Sequence, residues 1–279
     1  MLSSALNFIS SPPRIFLSRI LILCGLALMG WGIFQTEFGA KRMGEVGTLY
    51  ILDTSLSMSV EDIAGDTGVM RSRLDTAKEL LRDLTQPVWP RALMTFSSSA
   101  RLQLPLSHDD ALWTNTLDSI SPVRYGSVTD IETALASAIL TYGTTPLHIV
   151  LLTDGETTTD MASATGVTLP PTMDLTLIGI GTPSGGTIID HYDGEGRIIA
   201  KVYEGKDVIS RLDIDHLEEL STRYDATLAL IETLSDIADT RELLWQKQTH
   251  NPLDSSRILL TLAVLLVLSG LVMRDYRLR

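Results

Sequence analysis

Four short runs of this 279-residue chain are almost wholly apolar: GTLYILD (47–53), RALMTFS (91–97), PLHIVLLT (146–153) and LTLIGIG (175–181). A strand apolar on both faces must be covered on both faces, and this is the condition of a strand in a parallel sheet layered with helices. The segments between the runs supply those helices. Leu74, Ala77, Leu80, Leu81 and Leu84 recur at helical spacing and predict a helix over 72–86, and Ile131, Ala134, Leu135, Ala138 and Ile139 predict another, closed by Gly143. Further helices are expected over 109–119, 158–166 and 213–224, with a final strand at 226–231. ARLQLPL (100–106) follows the second run too closely for a crossover and is expected as its hairpin partner at the sheet edge. Strand–helix alternation of this kind implies an α/β fold with a doubly wound, mostly parallel sheet. One stretch breaks the rhythm. About 182–210 carries two β-like runs around Asp193-Gly194-Glu195-Gly196 and is expected as a hairpin extension.

Both ends of the chain are more apolar than a water-soluble domain requires. Ile15 to Phe34 is apolar except for Ser18 and Arg19, and Ile258 to Met273 has no charge over sixteen residues. A spanning helix needs roughly twenty such residues, and Arg257 and Arg274 can extend the second by reaching back to the interface. The expected organisation is a tail (1–14), a transmembrane helix (15–36), the α/β domain, a connector helix (232–256), a second transmembrane helix (257–274) and a tail (275–279). A cleaved signal peptide is the alternative for the first helix, but its apolar core is too long and its cleavage site poor. Arg14 and Arg19 on one tail, and Arg274, Arg277 and Arg279 on the other, place both tails in the cytoplasm and the domain outside it; Lys41 and Arg42 pull weakly the other way. The sole cysteine, Cys24, lies inside the first apolar segment and excludes an intrachain disulfide or a cysteine zinc site.

Charge excludes another class of partner. The chain has a formal charge of −12, and residues 43–256 set 14 basic residues against 32 acidic ones. A domain this acidic repels nucleic acid and anionic lipid heads.

The chemistry concentrates at strand ends. Asp53 closes the first run, with Ser55 and Ser57 at alternating positions, and Asp154 follows the third run in Thr153-Asp154-Gly155-Glu156. In a doubly wound sheet the carboxyl ends of strands form the ligand crevice. Both carboxylates therefore converge on one edge, and an extended loop puts the two serines on their side. The donor set is all oxygen, which suits Mg²⁺, or Ca²⁺ or Mn²⁺. The plain alternative is a loop aspartate with ordinary serine turns.

Asp53-Thr54-Ser55-Leu56-Ser57-Met58 resembles the Asp-x-Ser-x-Ser signature of the von Willebrand factor A (vWA) family. Two further pieces of that family's metal-ion-dependent adhesion site (MIDAS) have counterparts in order: Thr129, within Gly126-Ser127-Val128-Thr129-Asp130-Ile131, and Asp154. The resemblance covers 45–231 and implies a Rossmann-like sheet. It also implies that Ser55, Ser57 and Thr129 supply hydroxyls and that Asp53 and Asp154 bind the ion directly or through water. One coordination position is then left for an acidic residue of a protein partner. A membrane helix, an A domain, the run Val208-Ile209-Ser210-Arg211-Leu212-Asp213 and a closing membrane helix resemble the Bat-type proteins of bacterial aerotolerance operons. Those are inner-membrane proteins associated with MoxR-type AAA ATPases. Many relatives carry two N-terminal membrane helices, and this chain shows one. The methanol-dehydrogenase maturation proteins share the plan, so a maturation factor for a secreted metalloenzyme is the second reading.

Enzyme readings fare worse. Gly179-Ile180-Gly181 follows a strand as a dinucleotide loop does, but a β-like stretch follows it instead of a helix. No Gly-x-x-x-x-Gly-Lys-Ser/Thr loop and no Gly-x-Ser-x-Gly elbow occurs. Phosphatases that use a strand-end aspartate usually carry a second one two positions on, where this chain has Ser55. His108 and His148 are expected as a helix-start residue and a satisfied strand residue. The sequence thus predicts a metal-dependent binding module and no catalytic residues.

Overall fold

The computed structural model describes residues 20–29, 46–65, 68–84, 90–123, 129–157, 166–249 and 261–269. The chain divides into two compact units, residues 45–248 and residues 1–44 together with 249–279.

In the larger unit, a six-stranded sheet is built from β1 (Gly47–Asp53), β4 (Arg91–Phe96), β5 (Ala100–Ser107), β6 (Leu147–Thr153), β7 (Met173–Ile180) and β14 (Thr227–Ile231). Its order is β14-β7-β6-β1-β4-β5. Every neighbouring pair is parallel except β4–β5. β5 is the expected edge partner, and Pro105 is tolerated there because an edge strand can leave one row of positions unpaired. β1 sits at the centre with every residue buried, so alternate side chains feed two cores. Tyr50 and Leu52 face helices α1 (Arg73–Asp83), α2 (Asp110–Ser119) and α5 (Asp236–Thr249), where Leu80, Leu81, Trp113, Leu117 and Leu244 are buried. Leu49 and Ile51 face α3 (Ile131–Tyr142) and α4 (Ile214–Tyr224), meeting Ile131, Leu135, Ala138 and Leu220. Trp113 anchors the first layer: it stands edge-on to Tyr50 at 5.4 Å, and the Arg91 guanidinium lies 4.5 Å over its ring.

Helix starts follow their caps. Ser72, Asp109, Asp130 and Asp213 each accept a hydrogen bond from the backbone amide three residues on. The helix expected over 158–166 falls almost wholly outside the described residues. Two elements escape the sequence pattern: a 3-10 turn, Leu56–Ser59, and the ladder of β2 (Glu61–Ala64) with β3 (Met70–Ser72). Both are too short for periodicity to register.

The extension after β7 is more than one hairpin. β8 (Gly186–Thr187) pairs with β13 (Ile209–Ser210) at its root, β9 (Ile189–Tyr192) with β10 (Ile198–Ala200), and β11 (Val202–Tyr203) with β12 (Lys206–Asp207). It packs on the turn that follows β1: Ile188 and Val208 meet Leu56 and Val60. The Ser59 hydroxyl donates to the carbonyls of Leu56 and Ile189, at 2.7 and 2.9 Å.

In the smaller unit residues 20–29 and 261–269 are helical. Gly25 is buried there, and a Cβ on it would lie 2.6 Å from Val267 Cγ2. Leu23, Leu26, Leu262, Leu265 and Leu268 are exposed. Among the described residues no helix is long and apolar enough to cross a membrane. The remainder of both expected transmembrane helices lies outside the described residues.

Candidate functional site

The strand order changes direction at β1, whose neighbours β4 and β6 come from opposite halves of the sequence. The crevice of a doubly wound sheet opens at such a point. Asp53 is the last residue of β1, and Asp154 follows the last residue of β6, its parallel neighbour. Both are fully buried.

Each carboxylate is fixed from several sides. Asp53 Oδ1 accepts the Ser55 amide at 2.8 Å, and Oδ2 accepts the Thr153 hydroxyl at 2.7 Å. Thr153 is held in turn, because its hydroxyl accepts the Gly155 amide at 3.1 Å. Asp154 Oδ1 accepts the Glu156 amide at 3.2 Å, and Oδ2 accepts Arg73 Nη1 at 2.8 Å. The Asp154 carbonyl takes the Asp213 amide at 2.9 Å, at the start of α4. Gly155 is required at this bend. Its φ is +78°, and a Cβ would lie 2.8 Å from Leu217 Cγ and 2.9 Å from the Asp213 carbonyl.

The serines reach the site by a different route from the extended loop expected. After Ser55 the chain turns into the 3-10 segment, with the Met58 amide on the Ser55 carbonyl and the Val60 amide on the Ser57 carbonyl, both at 3.1 Å. The two hydroxyls still lie 2.9 Å apart, and Ser57 also hydrogen-bonds the Asp154 carboxylate. Thr129 is buried just ahead of α3. Its carbonyl accepts the Thr157 hydroxyl at 3.0 Å, joining its loop to the one that carries Asp154. Gly126, Ser127 and Val128 lie outside the described residues. The structure thus brings Asp53, Ser55, Ser57 and Asp154 together at one strand end, and ties the Thr129 loop to it.

Burial, and then the Asp154 charge, push the Asp53 carboxyl up from 3.8 to about 7. Burial raises Asp154 too, against the opposing pull of Arg73 and the Ser57 hydrogen bond. Arg73 offsets the Asp154 charge, and the burial of Asp53 is relieved by a proton or by a nearby cation. Among the described residues no group of three or more histidine, cysteine, aspartate and glutamate side chains could hold a metal ion. Any cation here relies on the hydroxyls beside the two carboxylates.

Sequence reasoning missed the residues behind this front. Arg73 and Ser210 are buried against Asp154, and Asp62 is buried against Arg73. Arg73 reads in sequence as one more charge in a helix's first turn, and no spacing distinguishes it from Arg71.

Residues 48–156 match the family model of the von Willebrand factor type A domain. No curated protein sequence matches the chain. Among solved structures, BatB from Bacteroides thetaiotaomicron is 23% identical, with a TM-score of 0.59, and the match covers 74% of this chain and 99% of that one. An aerotolerance-related membrane protein from Bacteroides fragilis, in a variant with multiple mutations to serines, gives the same identity, coverage and TM-score. These two likenesses establish a shared fold. With the family match over β1 to the Asp154 loop, they lead to one assignment: the chain carries a von Willebrand factor type A domain.

Proposed function

We propose that this chain is a membrane-anchored protein-binding module that captures an acidic residue of a partner through a divalent ion, Mg²⁺ above Ca²⁺ or Mn²⁺. Asp53 and Asp154 would hold the ion, with hydroxyls from Ser55, Ser57 and Thr129. The ion supplies an electrophilic open position for a partner's carboxylate. The single observation that carries this reading is the pair of fully buried carboxyls at the switch point, one of them raised to about 7, beside two facing hydroxyls. A dication neutralises two carboxylates and leaves neutral oxygens as the remaining ligands, so a third carboxylate remains acceptable. Binding is favoured over catalysis. Asp53 stands where a phosphatase nucleophile would, but Ser55 occupies the position two residues on where such enzymes usually carry a second aspartate.

The Bat-type reading follows from the motif order and from the two Bacteroides neighbours, one of which is named as a membrane protein of aerotolerance. On that reading the partners are other vWA membrane proteins and a MoxR-type AAA ATPase, and the domain faces away from the cytoplasm of a bacterial inner membrane. The close approach at Gly25 and the outward leucines of residues 20–29 and 261–269 suit two helices packed in lipid.

Two measurements test the proposal. Mg²⁺ should raise the unfolding temperature of the full chain in detergent, and Asp53→Ala should abolish that rise; an equal rise in both removes the site. In whole cells of a Cys24→Ser background, a cysteine at Gly194, where a side chain meets nothing within 4 Å, should react with an impermeant reagent. Labelling only after lysis reverses the orientation.

A further inference from the structure

Behind Asp154 lies a fully buried arginine whose hydrogen-bonding capacity is completely used. Arg73 Nε donates to Asp62 Oδ1 at 3.0 Å, and Nη2 donates to Asp62 Oδ2 at 2.7 Å and to the Ser210 carbonyl at 3.1 Å. Nη1 donates to Asp154 Oδ2 at 2.8 Å and to the Ser210 hydroxyl at 2.7 Å. These contacts account for all five N–H groups of a guanidinium. The surroundings are shaped to it. Gly181 has φ +142°, and a Cβ there would lie 2.8 Å from Arg73 Nε. Asp62, which closes the fork, is itself held by the Thr182 amide and hydroxyl at 2.9 and 3.1 Å. Five hydrogen bonds and the close Gly181 backbone thus fix where the guanidinium sits, and with it the Asp154 oxygen it holds.

We propose that Arg73 is a positioning residue that makes Asp154 a one-oxygen ligand and thereby biases the site toward small octahedral ions. The proposal rests on the metal-binding reading above. Oδ2 of Asp154 is committed to the charged Arg73, while Oδ1 accepts the neutral Glu156 amide and keeps acceptor capacity for an ion or its water. Mg²⁺ takes six oxygens in near-ideal octahedral geometry and is satisfied by single carboxylate oxygens. Ca²⁺ takes six to eight at longer distances and gains from bidentate carboxylates. Withholding Oδ2 thus removes a mode of binding that only the larger ion exploits. Ser210 extends the device. It lies on β13 at the root of the extension after β7, so the extension helps hold the geometry of Asp154 without touching the ion.

Arg73→Lys is the direct test. Lysine keeps the charge but has three donors and no planar fork, so it cannot reproduce the paired bonds to Asp62 together with those to Asp154 and Ser210. Mg²⁺ and Ca²⁺ affinities are measured on the full chain in detergent by titration calorimetry, with near-ultraviolet circular dichroism as the check on folding. The ratio of Mg²⁺ to Ca²⁺ affinity should fall at least tenfold in Arg73→Lys. A residue that only stabilised the fold would weaken both ions together. Ser210→Ala, which removes one hydroxyl and leaves the buried charges in place, keeps the test open if the lysine variant does not fold, and should lower the ratio two- to threefold. An unchanged ratio in Ser210→Ala and in folded Arg73→Lys overturns the inference while leaving the metal site standing. A parent chain that binds neither ion overturns the metal site and this inference with it.

Discussion

Replacing Asp53 by asparagine should stabilise the metal-free protein at neutral pH and destabilise it in acid. Asp53 is fully buried and its carboxyl is raised from 3.8 to about 7. The folded state therefore keeps a proton that the unfolded chain loses near pH 4. Between about pH 4 and 7 the unfolded state binds fewer protons, so this group makes stability fall as pH rises, and the loss is complete above 7. A carboxyl moved that far penalises the ionised fold by about 4 kcal/mol, an upper bound. Asparagine carries no such penalty but loses part of the hydrogen bonding. Its carbonyl can still take the Ser55 amide, while its NH₂ faces a Thr153 hydroxyl that already accepts the Gly155 amide. That mismatch costs about 1 kcal/mol. The net gain at pH 8 is about 2–3 kcal/mol, or roughly 5–10 °C in unfolding temperature for a domain of this size. In acid the variant should be about 1 kcal/mol less stable. The assay is thermal unfolding of the full chain in detergent and EDTA from pH 4 to 9, parent against variant, so that titrations common to both cancel. The two curves must cross. Saturating Mg²⁺ should close most or all of the gap at pH 8, since an ion at a hundred times its dissociation constant stabilises the parent by about 2.7 kcal/mol. Parallel curves at every pH would refute the argument that burial and Asp154 hold Asp53 protonated.

Thr129→Val keeps the branched shape and deletes the hydroxyl; with the ion saturating, partner binding should weaken tenfold or more while Mg²⁺ affinity falls less, and partner binding as tight as the parent's would reduce the ion to a structural role. Gly155→Ala forces a side chain onto φ +78° and into Leu217 and the Asp213 carbonyl, and should lower stability by about 2–4 kcal/mol, read as a shift in urea midpoint.

The fold was legible because burial writes itself into composition. β1, β4, β6 and β7 are apolar nearly throughout, since a central parallel strand has no face to spare for water. The placing of Asp53 and Asp154 at neighbouring strand ends was legible for the complementary reason: an acid that ends such a run stands out. Arg73, Asp62 and Ser210 were not. Nothing local marks a buried ion pair formed across eleven residues and tied to a serine 137 positions away. The conformation of the Asp53–Ser57 loop was not legible either. Alternating serines suit an extended strand and a 3-10 turn alike, and tertiary contacts from Ile188 and Val208 accompany the turn. The ladders within the extension are two to four residues long, below the length at which alternation carries information.

The central position of β1 also bears on how the domain forms. Its partners are late: Thr48 pairs with Arg91 on one side and His148 on the other. At a synthesis rate of about 5–20 residues per second, the second partner emerges on the order of 5–20 s after the first strand. Through that interval an uncharged run, Gly47 to Leu52, has at least one edge open and no layer to cover it. Non-local pairing of this kind folds slowly and exposes strand edges meanwhile. The nascent domain therefore depends on being kept from its neighbours until β6 arrives, and slowed translation or crowded expression should cost it more than a hairpin-built domain of equal stability.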